Sequence, residues 1–342
     1  MRACRGLLVL AVLCLVWVAH VGAAADREAA PFVVGCNLPW LDGKMGWDIG
    51  DHAEWGVGFD AESARAHFAD MQRMGVSVVR WWLFADCRAG IVFDASGAPT
   101  GVQPEVFDRL DFIMDELCPQ YGIQMYWCLL SSLKDTGHTG IITDVATRRA
   151  YIENVVTPVA ERYGAHPSLF AFDLMNEPEA DVAARNGNGN GTRTGTDWAT
   201  MRAFLSECAS AVHTASLGAR VSVGSGWRGF DNVRAGLYGG LGLDFYDIHL
   251  YMDYTGPPSV ASLDLDLPCL IGEYNVTRAT AGDPRRQADI VARFLAGAEE
   301  AGYMGTLLWS YDHPATESPF GLLRPDGAWK PVAKVMRDHS RR

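Results

Sequence analysis

Ten residues, Leu169 to Pro178 (LFAFDLMNEP), restrict the fold of this chain more than any other stretch. Leu169, Phe170, Phe172, Leu174 and Met175 form too continuous an apolar run for a strand with one wet face. Both faces must be covered, as in a parallel sheet. Asp173 is the polar exception within the run, which then ends abruptly in Asn176, Glu177 and Pro178. A second stretch, Leu267 to Asn275 (LPCLIGEYN), repeats the pattern and delivers Glu273 to its far end.

Two carboxyls at the ends of two parallel strands can face each other across a cleft. Hydrolysis of a glycosidic bond needs that arrangement: one carboxyl stays protonated and donates to the leaving oxygen, while the other is ionised and attacks the sugar carbon. The plain alternative is that each Glu is a strand-terminal charge in water or in a salt bridge. Arg80, in VVRWW, lies in another apolar run and needs an anionic partner, because its charge cannot be removed by deprotonation. A catalytic carboxylate would serve, as would a structural ion pair elsewhere.

Asn176-Glu177-Pro178 after an apolar strand is followed by His249-Leu250-Tyr251, by Glu273 after another strand, and by Trp309 in LLWS. In this order the elements resemble the retaining glycoside hydrolases built on (β/α)8 barrels, most closely glycoside hydrolase family 5, of the endo-β-mannanase and cellulase type. Arg80 fits the family's arginine at the end of strand two, and the resemblance spans about 32 to 339. The resemblance implies Glu177 as acid/base and Glu273 as nucleophile. It also implies that Tyr251 hydrogen-bonds the nucleophile, His249 sits close to the acid/base, Asn176 meets the sugar 2-hydroxyl and Trp309 stacks on sugar. No cofactor is required. The family's histidine near the end of strand three is missing: Ser131-Ser132 stand there, and His138 lies too far along.

The chain has 342 residues, which suits one barrel of about 250 residues with loops and a leader. The expected fold is therefore an α/β (β/α)8 TIM barrel, a single catalytic domain over 32–339, after an amino-terminal signal peptide over 1–24. That leader has Arg2 and Arg5, an apolar run from Leu7 to Val18, and small residues Val21-Gly22-Ala23-Ala24 for cleavage. It predicts a secreted chain with no membrane span after cleavage; an uncleaved anchor is the alternative. Removing two arginines from 29 basic residues leaves 27 against 41 acidic ones, a net charge near −14. Such acidity excludes nucleic acid and anionic membranes as natural partners and is compatible with a neutral polysaccharide. The mature chain is expected to be a monomer.

Beyond the leader lie Cys36, Cys87, Cys118, Cys128, Cys208 and Cys269. Most fall in apolar strands or helix faces and read as buried thiols, although an oxidising compartment would allow up to three bridges. No pair has zinc-ligand spacing.

Alternating signals place eight strands, beginning at Phe32, Val76, Ile123, Leu169, Arg220, Phe245, Leu267 and Met304. Helices are predicted after most of them: Asp60 caps the first before Gly75, Pro104 to Tyr121 is the second, Thr143 to Tyr163 the third and Trp198 to Leu217 the fourth. Asp283-Pro284 starts the seventh and Trp329 to Arg337 closes the ring, while helices five and six are poorly marked. The long first loop carries Trp40, Trp47 and Trp55, and Trp227 follows strand five. Indoles at a barrel mouth can stack on sugar rings. Trp40, nearest a strand end, and Trp227 are the candidates; for Trp47 and Trp55, folding the loop onto itself is an equal alternative. The NGNGNG segment at 186–191 has too few apolar groups to fix its own shape.

The expected reaction is hydrolysis of β-linked polysaccharide with retention, the carboxyls about 5 Å apart. Arg80 and Tyr251 should favour ionised Glu273, whose charge should raise the pKa of Glu177. The PW-containing first loop leans the substrate towards β-1,4-mannan over β-1,4-glucan. Competing readings are an exo-acting β-glycosidase, a non-catalytic carbohydrate-binding barrel, and a metal-dependent hydrolase. The last is disfavoured by the expectation that Asp247 and His249 point to opposite sides of strand six.

Overall fold

The computed structural model describes residues 31–41, 48–134, 136–182, 196–226, 228–253, 256–311 and 319–342. The leader 1–24, Trp47, segment 186–191 and Trp227 lie outside the described residues. Eight strands close into a barrel: β1 (Val33–Asn37), β2 (Val78–Trp82), β3 (Gln124–Cys128), β4 (Leu169–Asn176), β5 (Val221–Ser225), β6 (Tyr246–Tyr251), β7 (Cys269–Asn275) and β8 (Gly305–Leu308). Every neighbouring pair is parallel, and β8 pairs with β1 to close the ring. Residues Phe32–Arg342 form one compact unit.

Local chemistry sets the helix ends. The Asp60 side chain accepts from the Ser63 amide at 2.7 Å and starts helix Ala61–Arg73, and Gly75, at φ +76°, lets the chain turn back into β2. Pro104 begins a helix that runs to Tyr121 through a wider π turn at Phe112–Leu117. The third helix starts earlier than predicted, at Gly140–Thr143. It breaks at Asp144, whose side chain caps a new start by accepting from Thr147. Trp198–Ala215 and Pro284–Glu300 match their sequence signals, the latter capped by Asp283.

Eight full helices are not what the described residues show. After β5 comes only Gly229–Arg234, and after β6 a single 3-10 turn, Val260–Leu263, because Gly256-Pro257-Pro258 deny that connection an uninterrupted helical run. Two hairpins that were not predicted decorate the loops after β1 and β2: Asp51–His52 with Gly56–Val57, and Ile91–Phe93 with Pro99–Val102. Strands this short carry too little alternation to be read from sequence. Trp55 sits on the first hairpin with its ring stacked on His52 at 3.9 Å and the Arg88 guanidinium 5.3 Å from its centre. It folds the loop onto itself. All six described cysteines are free and buried. No described helix is long and apolar enough to cross a membrane.

The lower interior of the barrel is filled by Val78, Tyr126, Phe170, Ala171, Phe245, Leu270 and Leu307. Tyr126, Phe170 and Phe245 pack at ring separations of 5.8–6.0 Å. Burying one such phenyl ring stabilises the fold by about 1.5–3 kcal/mol, so this plug is a foundation for the polar residues above it.

Candidate active site

Arg80 stands directly above the apolar plug, fully buried, and organises the upper interior. Nη1 donates to Glu273 Oε1 at 2.8 Å and to Asn37 Oδ1 at 2.9 Å. Nη2 donates to Asp173 Oδ2 and to Asn176 Oδ1, both at 2.7 Å, and Nε reaches Asp173 Oδ2 at 3.1 Å. The anionic partner required by the sequence is thus both a structural acid and a candidate catalytic one. Because Asn176 gives its carbonyl oxygen to Arg80, its amide nitrogen is left as the donor.

Glu273, at the end of β7, is held at both oxygens: Tyr251 donates to Oε2 at 2.5 Å while Arg80 holds Oε1. Glu177 is placed differently. It follows β4 with φ +46° and ψ +58°, a left-handed backbone that costs a non-glycine residue of order 1–3 kcal/mol and recurs at functional sites. Its amide donates to the Gly224 carbonyl at 2.8 Å, and its Oε1 lies 2.9 Å from His249 Nδ1. That same Nδ1 is 3.5 Å from Glu273 Oε2. Facing atoms of Glu177, His249 and Glu273 all lie within 4.8 Å of one another. A carboxyl pair this close fits retention; inverting pairs stand about 6.5–9.5 Å apart.

Burial is the largest influence on both acids. It pushes Glu177 above the ordinary glutamate range, opposed by Arg80 and reinforced by Asp173. It also pushes Glu273 up, against the pull of His249, Arg80 and the Tyr251 hydrogen bond. Glu273 has more groups favouring its ionised form, yet burial and the neighbouring Glu177 charge still hold it above the ordinary range. The expectation that the charge of Glu273 is what raises Glu177 gives way to burial as the main cause.

Asp247 and His249 do not point to opposite sides. Two residues apart on β6, they share a face, as the period of a strand demands, and His249 Nε2 lies 4.0 Å from Asp247 Oδ1. Asp247 is fully committed below the site: it accepts from Tyr126 Oη at 2.8 Å and from the Gly272 amide at 2.7 Å, and burial pushes it up to about 6. A Cβ on Gly272 would fall 2.1 Å from its carboxylate. A cation at the Glu177–His249–Glu273 cluster would have to compete with the Arg80 guanidinium for Glu273.

Trp40, Trp82 and Trp309 form one aromatic group, with ring centres 5.6–6.1 Å apart. The structure thus brings together Glu177, Glu273, Arg80, Asn176, His249 and Tyr251, and clusters Trp309 with Trp40. Trp82 was missed, although alternation from Arg80 places it on the same inward face. Asn37 and Asp247 were missed as partners because barrel closure brings them in from strands distant in sequence. Where the strand-three histidine is absent, Ser132 Oγ donates to Asp181 and the Leu133 amide donates to the same carboxyl at 2.7 Å. The departure therefore serves to tie the loop after β4 to the loop after β3. His138 is stacked on Phe93, with ring centres 4.0 Å apart. A cleft of about 340 Å³ opens beside Glu177, lined also by His249, Leu250, Tyr251 and Met252.

No protein-family model matches the chain. Among curated proteins, a mannan endo-1,4-beta-mannosidase from Mytilus edulis is 24% identical over 319 residues, covering 82% of this chain and 83% of the relative. A mannan endo-1,4-beta-mannosidase A from Aspergillus aculeatus is 23% identical over 337 residues, covering 84% and 83%. Among solved structures, the beta-mannanase from blue mussel Mytilus edulis superposes with a TM-score of 0.69 at 22% identity, over 91% of this chain and 92% of that one. In sequence over most of its length, and in fold over nine-tenths of it, the chain is similar to mannan endo-1,4-beta-mannosidases.

Proposed function

We propose that the chain is a retaining glycoside hydrolase that cleaves β-1,4-mannan internally, with Glu177 as acid/base and Glu273 as nucleophile. One observation carries this reading: two carboxyls with oxygens within 4.8 Å of each other, one buried and held at both oxygens by Arg80 and Tyr251, the other partly exposed to an open cleft. The names of the similar curated proteins support mannan as the polymer.

Sugar rests on the Trp40–Trp82–Trp309 group, with the Asn176 amide nitrogen donating to the 2-hydroxyl. The Glu177 proton passes to the glycosidic oxygen as the bond to the leaving chain breaks and a Glu273 oxygen bonds to the anomeric carbon. Water then attacks that carbon from the leaving-group side and gives its proton to Glu177. The ester bond breaks, and Glu273 returns to its carboxylate form. Arg80 and Tyr251 hold Glu273 ready to attack, and His249 holds Glu177 within reach.

The same reading makes the mature chain a secreted monomer, released after residue 24; amino-terminal sequencing of secreted protein and its elution volume test both points. The activity is tested by reducing-end release from soluble β-mannans and β-glucans, with wild type beside Glu177→Gln and Glu273→Gln. Release from mannan in short oligosaccharides, lost in both variants and insensitive to chelator, is the expected result. Release only of single sugars would make the enzyme exo-acting, preference for glucan would overturn the substrate, and sugar binding without turnover would restore the non-catalytic reading.

A further inference from the structure

Glu179 is buried, lies two residues beyond the candidate acid/base, and has no part in the reaction described above. Its Oε1 accepts from Ser225 Oγ at 2.8 Å and from Asn232 Nδ2 at 2.7 Å, and its Oε2 accepts from the Gly226 amide at 3.3 Å. Asn232 Nδ2 also reaches Ser225 Oγ and the Gly226 carbonyl, both at 3.1 Å. The pair grips both residues at the end of β5. This short stretch is where the Glu177 side chain rests: a Cβ on Gly226 would fall 2.4 Å from Glu177 Cδ. Its neighbour Gly224 accepts from the Glu177 amide.

We propose that Glu179 is a positioning residue for the acid/base, clamping Ser225 and Gly226 against Glu177 through its two carboxyl oxygens. The proposal rests on the assignment of Glu177 above. Burial, without a cationic partner among its hydrogen bonds, holds Glu179 up to about 7; the hydroxyl of Tyr238 and the carboxyl of Glu177 are the titratable groups facing it. Glu177 in turn faces Arg80, Asp173, His249 and Glu273.

The test is kcat and KM for mannan hydrolysis by the full chain, comparing wild type, Glu179→Gln and Glu179→Ala. Glutamine keeps an acceptor for Ser225 and Asn232 but carries no charge. The expected result is kcat within about fivefold of wild type in Glu179→Gln, which keeps the acceptor that Ser225 and Asn232 use. Glu179→Ala should lose about 10²-fold in kcat with KM nearly unchanged, as misplacement of a reacting group does. A Glu179→Gln variant that loses about 10²-fold in kcat, or one whose loss falls on KM alone, overturns the proposal, whether or not the alanine variant folds. So does wild-type kcat in Glu179→Ala. Wild-type protein inactive on mannan would instead overturn the functional reading.

Discussion

The lower and upper halves of the barrel interior are built from the same eight strands and obey opposite rules. Below Arg80, Val78, Phe170, Phe245, Leu270 and Leu307 are apolar and close-packed, and the one hydroxyl, that of Tyr126, is hydrogen-bonded to Asp247. Above it, Asp173, Glu177 and Glu273 crowd around one guanidinium and one imidazole, and Asp247 joins this group to the plug below. Glu177 takes a left-handed backbone, and Gly226 and Gly272 leave no room for a side chain. The lower half stabilises the fold; the upper half spends some of that stability to hold acids in proton-retaining surroundings. A strand can do both because its two ends meet different neighbours.

The largest effect separating the halves is expected from Glu273→Gln. It should lower kcat by about 10⁴-fold or more while leaving the melting temperature near that of wild type, read by initial rates and thermal unfolding. The converse change is Phe170→Ala in the plug. Here about 3–5 kcal/mol of stability should be lost by denaturant titration, with kcat per folded molecule unchanged.

Titration should show the cost of the upper half. Glu177, Glu179 and Glu273 all have folded-state pKa values above their ordinary ones. The folded chain therefore binds more protons than the unfolded one, and stability is full below the ordinary glutamate value and declines as pH rises through the folded values. For Glu179, held up to about 7, the decline amounts to about 3 kcal/mol between about pH 4 and pH 8. Glu179→Gln should remove that share of the pH dependence in chemical denaturation measured at the two ends. The smallest of these effects is expected from Gly226→Ala. Its methyl group would displace Glu177 and cut kcat by up to about 10²-fold, with little change in KM.

What could be read in the sequence follows the same division. The plug and the strand order were legible because both-face burial writes itself as continuous apolar runs, and Asp60, Gly75 and Asp283-Pro284 mark helix ends through contacts only a few residues away. The two glutamates were legible because a carboxyl closing an apolar strand is conspicuous. Their partners were less so. Asn37 reaches Arg80 across 43 positions and Tyr126 reaches Asp247 across 121, contacts that exist only once the barrel closes. Glu179 carries no local signal beyond its nearness to Glu177, and its function depends on Ser225 and Asn232 from the next strand and helix. The hairpins and the 3-10 turn after β6 are too short for periodicity to register.

Retention through Glu273 is tested most directly by following the anomeric protons of the first products released from β-1,4-mannan oligosaccharides by NMR, before mutarotation. The β-anomer should appear first and convert slowly to the equilibrium mixture. Initial release of the α-anomer would contradict the two-glutamate double displacement and assign the carboxyl pair to a single inverting step.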